Sequence, residues 1–238
     1  MRPLLSPGRL GFRGIGGVAV AVDFANALDL PGASGDYAST PDAVANDVTS
    51  DLDVRVRVAL DDWTPATSQT LMAKYNISAQ RSWLFFLNTV GRLSVVLSTD
   101  GTATLTLTAN GEPAVSDGGT KWVRFALDTD NGSGSKEISF YQSDNGVDWA
   151  QIGTTITDAG TIVLHNSSGK LTAGSFDIDG GGTGLQSAGV LYRAQLLNGI
   201  NGTVVADFDP TLAVVGEATF VAATGETWTK LGNASFIN

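Results

Sequence analysis

The sequence predicts an all-β chain: a two-sheet antiparallel jelly-roll sandwich with an extended N-terminal arm. Three observations carry this. Short stretches of apolar alternation at a period of two recur along the chain, Gly, Asp and Asn turns separate them, and no long amphipathic helical pattern interrupts the series. Twenty-nine glycines and seven prolines are spread through the 238 residues, as many short strands joined by tight turns require. Internal repeats of the propeller kind are missing.

Residues 1–16 mix Arg, Pro and Gly with isolated Leu, Phe and Ile, and fit neither a helical nor a strand period. They are expected to form an assembly arm, and residues 17–238 the sandwich domain. Arg2, Arg9 and Arg13 ahead of the run from Gly14 to Val22 imitate a secretory signal. Three glycines dilute that run, however, and Asp23 interrupts the approach to a cleavage site, so an uncleaved arm is the expectation.

In the sandwich domain Val18, Val20 and Val22 alternate with Ala and lead through Phe24 to a turn at Pro31-Gly32, a first strand. The clearest strand is 51–60, where Val54, Val56 and Val58 share one face while Asp53, Arg55 and Arg57 share the other. That parity predicts one buried and one solvated face. Further strands are expected at 69–75, 81–88, 92–98, 102–108, 121–128, 136–142, 148–152, 161–164, 170–176, 189–198 and 203–207, each bounded by turn residues. A hairpin over 218–237 closes the series.

The formal charge is −10, and because the three Arg of the first 22 residues meet no acid there, the rest of the chain carries −13. An acidic body repels a phosphate backbone, so nucleic-acid binding is not expected. Cysteine is absent, which removes disulfides and thiolate metal sites. No apolar run reaches the length of a spanning helix, so membrane insertion is not expected either.

Catalytic chemistry finds few residues to use. A Ser-His-acid triad needs an imidazole, and His165, the one histidine, lies in the turn-like Leu164-His165-Asn166-Ser167-Ser168-Gly169 without a nucleophile-elbow pattern; it is expected to be an exposed loop residue. The same count is too low for a histidine-based zinc centre. Glycoside hydrolysis needs two carboxylates about the scissile bond. The four glutamates, Glu112, Glu137, Glu217 and Glu226, are scattered. The pairs Asp51/Asp53, Asp128/Asp130, Asp177/Asp179 and Asp207/Asp209 are expected to shape turns, since Asp128-Thr129-Asp130-Asn131-Gly132 lacks the distal glutamate of a calcium loop. No catalytic, cofactor-binding or metal-ligating residue is therefore assigned.

Ser143-Asp144-Asn145-Gly146-Val147-Asp148-Trp149 reads as a structural hairpin of the Asp-box type, its Asn-Gly step favouring a two-residue turn. Aromatic faces are the usual sugar-binding groups, because they cover the apolar patches between hydroxyls. Of the five Trp, Trp122 and Trp149 are expected in the core, while Trp63 and Trp83 are left open between core packing, the commoner case, and stacking on a ligand, and no ligand-binding residue is named.

Several segments together carry a family resemblance. Gly35-Asp36-Tyr37-Ala38-Ser39-Thr40-Pro41-Asp42, Asp51-Leu52-Asp53-Val54-Arg55-Val56, Asp61-Asp62-Trp63-Thr64-Pro65, Lys121-Trp122-Val123-Arg124, Ser139-Phe140-Tyr141 with the hairpin that follows, Gly189-Val190-Leu191-Tyr192-Arg193-Ala194 and Ala206-Asp207-Phe208-Asp209-Pro210 resemble the concanavalin A-like or laminin G-like lectin domains of bacteriophage minor tail proteins. The resemblance covers roughly residues 28–238 and consists of strand-and-turn signatures. It implies a non-enzymatic virion structural protein, synthesised in the bacterial cytoplasm and placed on the phage tail or capsid surface, that attaches to host surface glycans. The Glu-x-Asp-x-x-Glu motif of related glucanases is absent. A basic, apolar-dotted arm on an acidic sandwich suits docking to other virion proteins in a homo-oligomeric or multi-copy assembly. Alternatives are a capsid decoration protein, a free glycan-binding module and a polysaccharide hydrolase.

Overall fold

The structure is a computed structural model that describes residues 10–13, 20–178 and 182–238. In chain order the strands are β1 Leu10–Arg13, β2 Val20–Asp23, β3 Ala27–Pro31, β4 Tyr37–Thr40, β5 Leu52–Leu60, β6 Gln69–Asn76, β7 Gln80–Leu87, β8 Leu93–Gly101, β9 Leu105–Thr108 and β10 Thr120–Asp128. They continue with β11 Ser135–Ser143, β12 Ala150–Ala159, β13 Leu171–Ala173, β14 Phe176–Ile178, β15 Gly182–Gly184, β16 Ala188–Asn198, β17 Thr203–Phe208, β18 Thr219–Val221, β19 Thr227–Leu231 and β20 Ser235–Ile237. Among the described residues only two short 3-10 turns, Val44–Asn46 and Pro210–Leu212, are helical.

The first sheet runs β12-β11-β10-β5-β16-β3-β20, with β17 also on β16. The second runs β18-β19-β4-β13-β6-β7-β8-β9, with β14 on β6 and β15 on β14. Ladders within both are antiparallel, apart from one parallel pairing of Asp177 with Asn76. This is the expected jelly-roll sandwich. The first and last strands of the sandwich sheets interleave: β20 pairs with β3 in the first sheet, and β19 with β4 in the second. Buried Asp36 fastens that closure, accepting hydrogen bonds from Ala33 N at 3.1 Å and Asn233 N at 2.7 Å.

Period-two alternation places the core between the sheets. Val54, Val56 and Val58 of β5 are at most 1% exposed, as are Val123, Phe125 and Leu127 of β10 and Trp83, Phe85 and Leu87 of β7. Phe125 bridges the sheets, its ring 5.0 Å from Phe85 and 6.1 Å from Trp83. A second aromatic group joins Phe208 to Trp228 at 5.2 Å and to Phe220 at 5.5 Å. The run Trp83-Leu84-Phe85-Phe86-Leu87 is apolar on both parities because the β14–β15 hairpin folds over the outer face of the second sheet, packing Phe176 and Leu185 on Ala73, Leu84 and Phe86. The other side of β6 holds buried Lys74, which meets Asp42, Asp47 at 2.9 Å and Asn46 at 2.7 Å.

Several expected elements differ. The first strand is two, β2 and β3, broken near Phe24, which bridges to Val214. Residues 161–164 alternate in burial but form no strand: Ile162 N bonds Thr129 O, Leu164 N bonds Thr49 O and His165 N bonds Ser98 O, three separate partners instead of one neighbour. The segment 218–237 is not one hairpin, since β18 and β19 pair in the second sheet and the chain then crosses so that buried Phe236 joins the first. Most of the arm, residues 1–9 and 14–16, lies outside the described residues. Leu10–Arg13 pairs with β2 as a two-stranded sheet separate from the sandwich sheets.

Candidate functional site: an arginine and aromatic face

The outer face of the first sheet is built by the parity opposite to the core. On β5 that parity carries Asp53, Arg55 and Arg57, on β10 Trp122 and Arg124, and on β11 Tyr141. Register aligns them in rows. Tyr141, Arg124, Arg55 and Gln195 lie opposite one another across four neighbouring strands, and Ser143, Trp122, Arg57 and Arg193 form the adjoining row. In β16 the register shifts between Leu191 and Arg193, so Tyr192 is an extra residue; this bulge brings Tyr192 and Arg193 together beside Arg57.

One carboxylate organises two of the guanidiniums. The Asp53 side chain is fully buried, and Arg124 donates to it through Nε at 2.9 Å and Nη2 at 2.7 Å. Arg55 donates to the same two oxygens through Nε at 3.2 Å and Nη2 at 2.8 Å. Asn201, in the β16–β17 turn with φ of 54°, completes the cluster: its backbone N donates to Asp53 at 3.0 Å and its Oδ1 accepts from both Nη2 groups at 2.8 and 3.0 Å. Asn is among the few residues that adopt this left-handed conformation readily. Planar, two-point bridges of this kind fix guanidinium orientation.

Aromatic rings close over the cluster. The centre of the Trp149 ring lies 5.5 Å from the Arg124 guanidinium carbon and 5.6 Å from that of Arg55, and Tyr141 lies 4.8 Å from Arg124. Trp122 meets Trp149 edge to face at 6.3 Å. The β11–β12 turn delivers Trp149 to this position. Ser143 Oγ accepts from Asn145 N and Gly146 N, and Asn145 Oδ1 accepts from Val147 N and Asp148 N. Gly146 has φ of +74°, and a Cβ there would fall 2.9 Å from the Trp122 indole. The turn is longer than the two residues that the Asn-Gly step suggests, because pairing resumes only at Gln142 with Ala150.

The remaining two arginines differ in their partners. Arg193 donates to Asp207 at 3.0 and 2.6 Å, and these bonds hold its pKa above the ordinary arginine value, against the opposing effect of burial and with added attraction from Asp207 and Asp209. Exposed Arg57 lies 4.9 Å from the centre of the Tyr192 ring and has no hydrogen-bond or ion-pair partner among the described residues.

The core expectation for Trp122 and Trp149 is overturned, and the open one for Trp63 and Trp83 resolves to core. Trp63 and Trp83 are 4% and 0% exposed, so neither can stack on a ligand, whereas Trp122 and Trp149 are half-buried on the outer face. His165 is half-buried, its Nε2 enclosed and unbonded beside Gly101. Of the aspartate pairs, Asp207 and Asp209 both face Arg193, while Asp51 accepts from Thr129 N and Oγ1, Asp128 from Asp130 N, Asp130 from Gly132 N, and Asp209 also caps the Pro210–Leu212 turn. Asp179 lies outside the described residues. No group of three or more His, Cys, Asp or Glu is placed to hold a metal ion among the described residues.

No family model matches the chain, and no curated protein is similar to it in sequence. Solved structures resemble it in fold. A heptameric SAP-like pentraxin from Limulus polyphemus aligns at TM-score 0.52 and 16% identity over 75% of this chain and 79% of that one. Mouse laminin α1 chain domains LG4-5 align at 0.49 and 16%, covering 85% and 48% of the two chains. The Ruminococcus gnavus IT-sialidase CBM40, bound to α2,3-sialyllactose, aligns at 0.48 and 14%, covering 74% and 94%. The chain thus has a two-sheet jelly-roll fold like that of the pentraxin.

Proposed function

We propose that the protein is a non-enzymatic glycan-binding module and that it serves as a structural, adhesive component of a phage virion, of the minor tail protein kind. The observation that supports binding is the outer face of the first sheet: half-exposed Trp122, Trp149 and Tyr192 beside oriented guanidiniums. Aromatic faces cover the apolar patches of a pyranose, and guanidinium donors take its oxygens. Among the described residues the face has no paired glutamates or histidine base to cleave a glycosidic or ester bond.

The virion role rests on the sequence resemblance and on the composition of residues 1–16. In this reading the arm docks onto other virion proteins in a multi-copy assembly on the tail surface, and the sandwich faces the host envelope. A capsid position is the alternative. Two measurements test the proposal. A screen of host envelope polysaccharides against the full chain is expected to give binding that Trp149→Ala abolishes, without release of reducing sugar; sugar release lost on changing one carboxylate would make it a hydrolase. Immuno-electron microscopy of intact particles is expected to label the tail; label on the head would make it a decoration protein, and label on neither a free lectin.

A further inference from the structure

Resting on the glycan-binding reading, we infer that the ligand is acidic: a saccharide whose carboxylate is held by Arg57 and by the free edge of Arg55, with its ring against the neighbouring aromatics.

The charge of the face runs against that of the molecule. The body of the protein is strongly acidic, yet Arg55, Arg57, Arg124 and Arg193 converge on one surface of one sheet. Their counter-ions are too few. Asp53 is shared by Arg55 and Arg124, and Arg193 takes both Asp207 at 2.6 Å and Asp209 at 3.9 Å, which leaves three carboxylates for four guanidiniums. Arg57 is left with an aromatic ring and no acid among the described residues. Its guanidinium makes no hydrogen bond that would stabilise the fold, so all five of its N–H donors are available.

Arg55 is prepared in a different way. Its Nε and Nη2 are committed to Asp53 and Asn201, which fixes the plane of the group and leaves Nη1 unbonded. Because Arg55 and Arg57 are two positions apart on one strand, their side chains rise about 7 Å apart. Gln195 lies opposite Arg55 in the same row of the face. A carboxylate on one guanidinium with ring hydroxyls on the next is the pattern this spacing accepts. Orientation by Asp53 before binding reduces the ordering cost, so the charge is expressed as affinity and selectivity.

The test uses the full chain with two polyuronates, polygalacturonate and hyaluronan, their carboxyl-reduced neutral forms, and dextran sulfate, with affinity measured by calorimetry at two salt concentrations. The expected result is binding of at least one polyuronate that weakens with salt and drops by roughly tenfold to a hundredfold on carboxyl reduction or in Arg57→Ala, the range for hydrogen bonds to a charged group. Arg57→Lys is expected to recover part of that loss. Arg57 is exposed, so the variants should melt with the wild type. Binding of neither polyuronate, or equal binding of acidic and reduced forms unaffected by Arg57→Ala, overturns the acidic-ligand assignment. If host neutral polysaccharides still bind and Trp149→Ala abolishes that binding, glycan binding stands without it. Dextran sulfate bound as tightly, with the same dependence on Arg57, would replace the carboxylate by charge alone. Binding of no glycan of any kind overturns both readings.

Discussion

Asp53 and Arg124 meet across β5 and β10 through two hydrogen bonds of 2.9 and 2.7 Å, and the same Asp53 carboxylate also holds Arg55. The carboxylate is wholly enclosed, with the guanidinium side chains 6% and 17% exposed. One negative charge therefore keeps two positive ones in fixed positions. It links the stability of the first sheet to the readiness of its outer face.

Removing that carboxylate leaves two neighbouring guanidiniums without their shared partner. Asp53→Ala is expected to destabilise the domain by about 3–5 kcal/mol, the cost of breaking a buried ion pair from one side. Asp53→Leu combined with Arg124→Met is expected to cost less than the single change, because no uncompensated charge stays buried. Urea unfolding of the three proteins measures this, as a change of midpoint at constant slope.

Gly146→Ala tests the turn that carries Trp149. A left-handed backbone costs an L-residue about 1–2 kcal/mol, and the added methyl would also push against the Trp122 indole. The variant is expected to lose at least that much stability and to show altered near-ultraviolet circular dichroism. A silent variant would mean that the turn relaxes freely and does not position Trp149.

Burial raises the pKa of Tyr37, and the nearby Asp177 charge raises it further. In the unfolded chain the phenol ionises near the ordinary value of about 10. The folded protein binds the proton more tightly, so stability is intact below that pH and falls as pH rises from it through the higher folded value. Tyr37→Phe is expected to flatten the alkaline limb of stability against pH. Phenolate absorbance should give one tyrosine fewer titrating late in the variant.

Much of the sandwich was legible from parity. The valines of β5 gave the core face directly, and β6, β7, β10 and β16 fall within a residue or two of their expected bounds. The candidate site was legible in part. Trp122 and Arg124 share a parity opposite to Val123, Phe125 and Leu127, a signal that places Trp122 outside the core. Trp149 has no such signal, because its place depends on a long turn closing back over the sheet. The convergence of Arg55, Arg124 and Asn201 on Asp53 joins residues as far as 148 positions apart, and depends on strand order, which local alternation does not encode.

Residues 1–16 are expected to matter for assembly and not for folding. Among the described residues β1 pairs with β2 and with no sandwich strand. A chain starting at Gly17 should unfold at the same denaturant concentration as the full chain but fail to enter particles or oligomers. Leu4, Leu5, Leu10, Phe12 and Ile15 each contribute roughly 1.5–3 kcal/mol if buried in a partner, before ordering costs. Loss of the fold in the shortened chain, with the full chain a monomer, would assign the segment to the sandwich.

The outer face of the first sheet as the ligand site is tested most directly by the indole N–H resonances of the five tryptophans in a two-dimensional NMR titration with a bound glycan. Trp63, Trp83 and Trp228 are enclosed in the core, while Trp122 and Trp149 stand on the face. The expected result is that the Trp122 and Trp149 signals move with saturation while the other three hold still. Saturable binding that leaves Trp122 and Trp149 unmoved would place the ligand elsewhere and contradict the account.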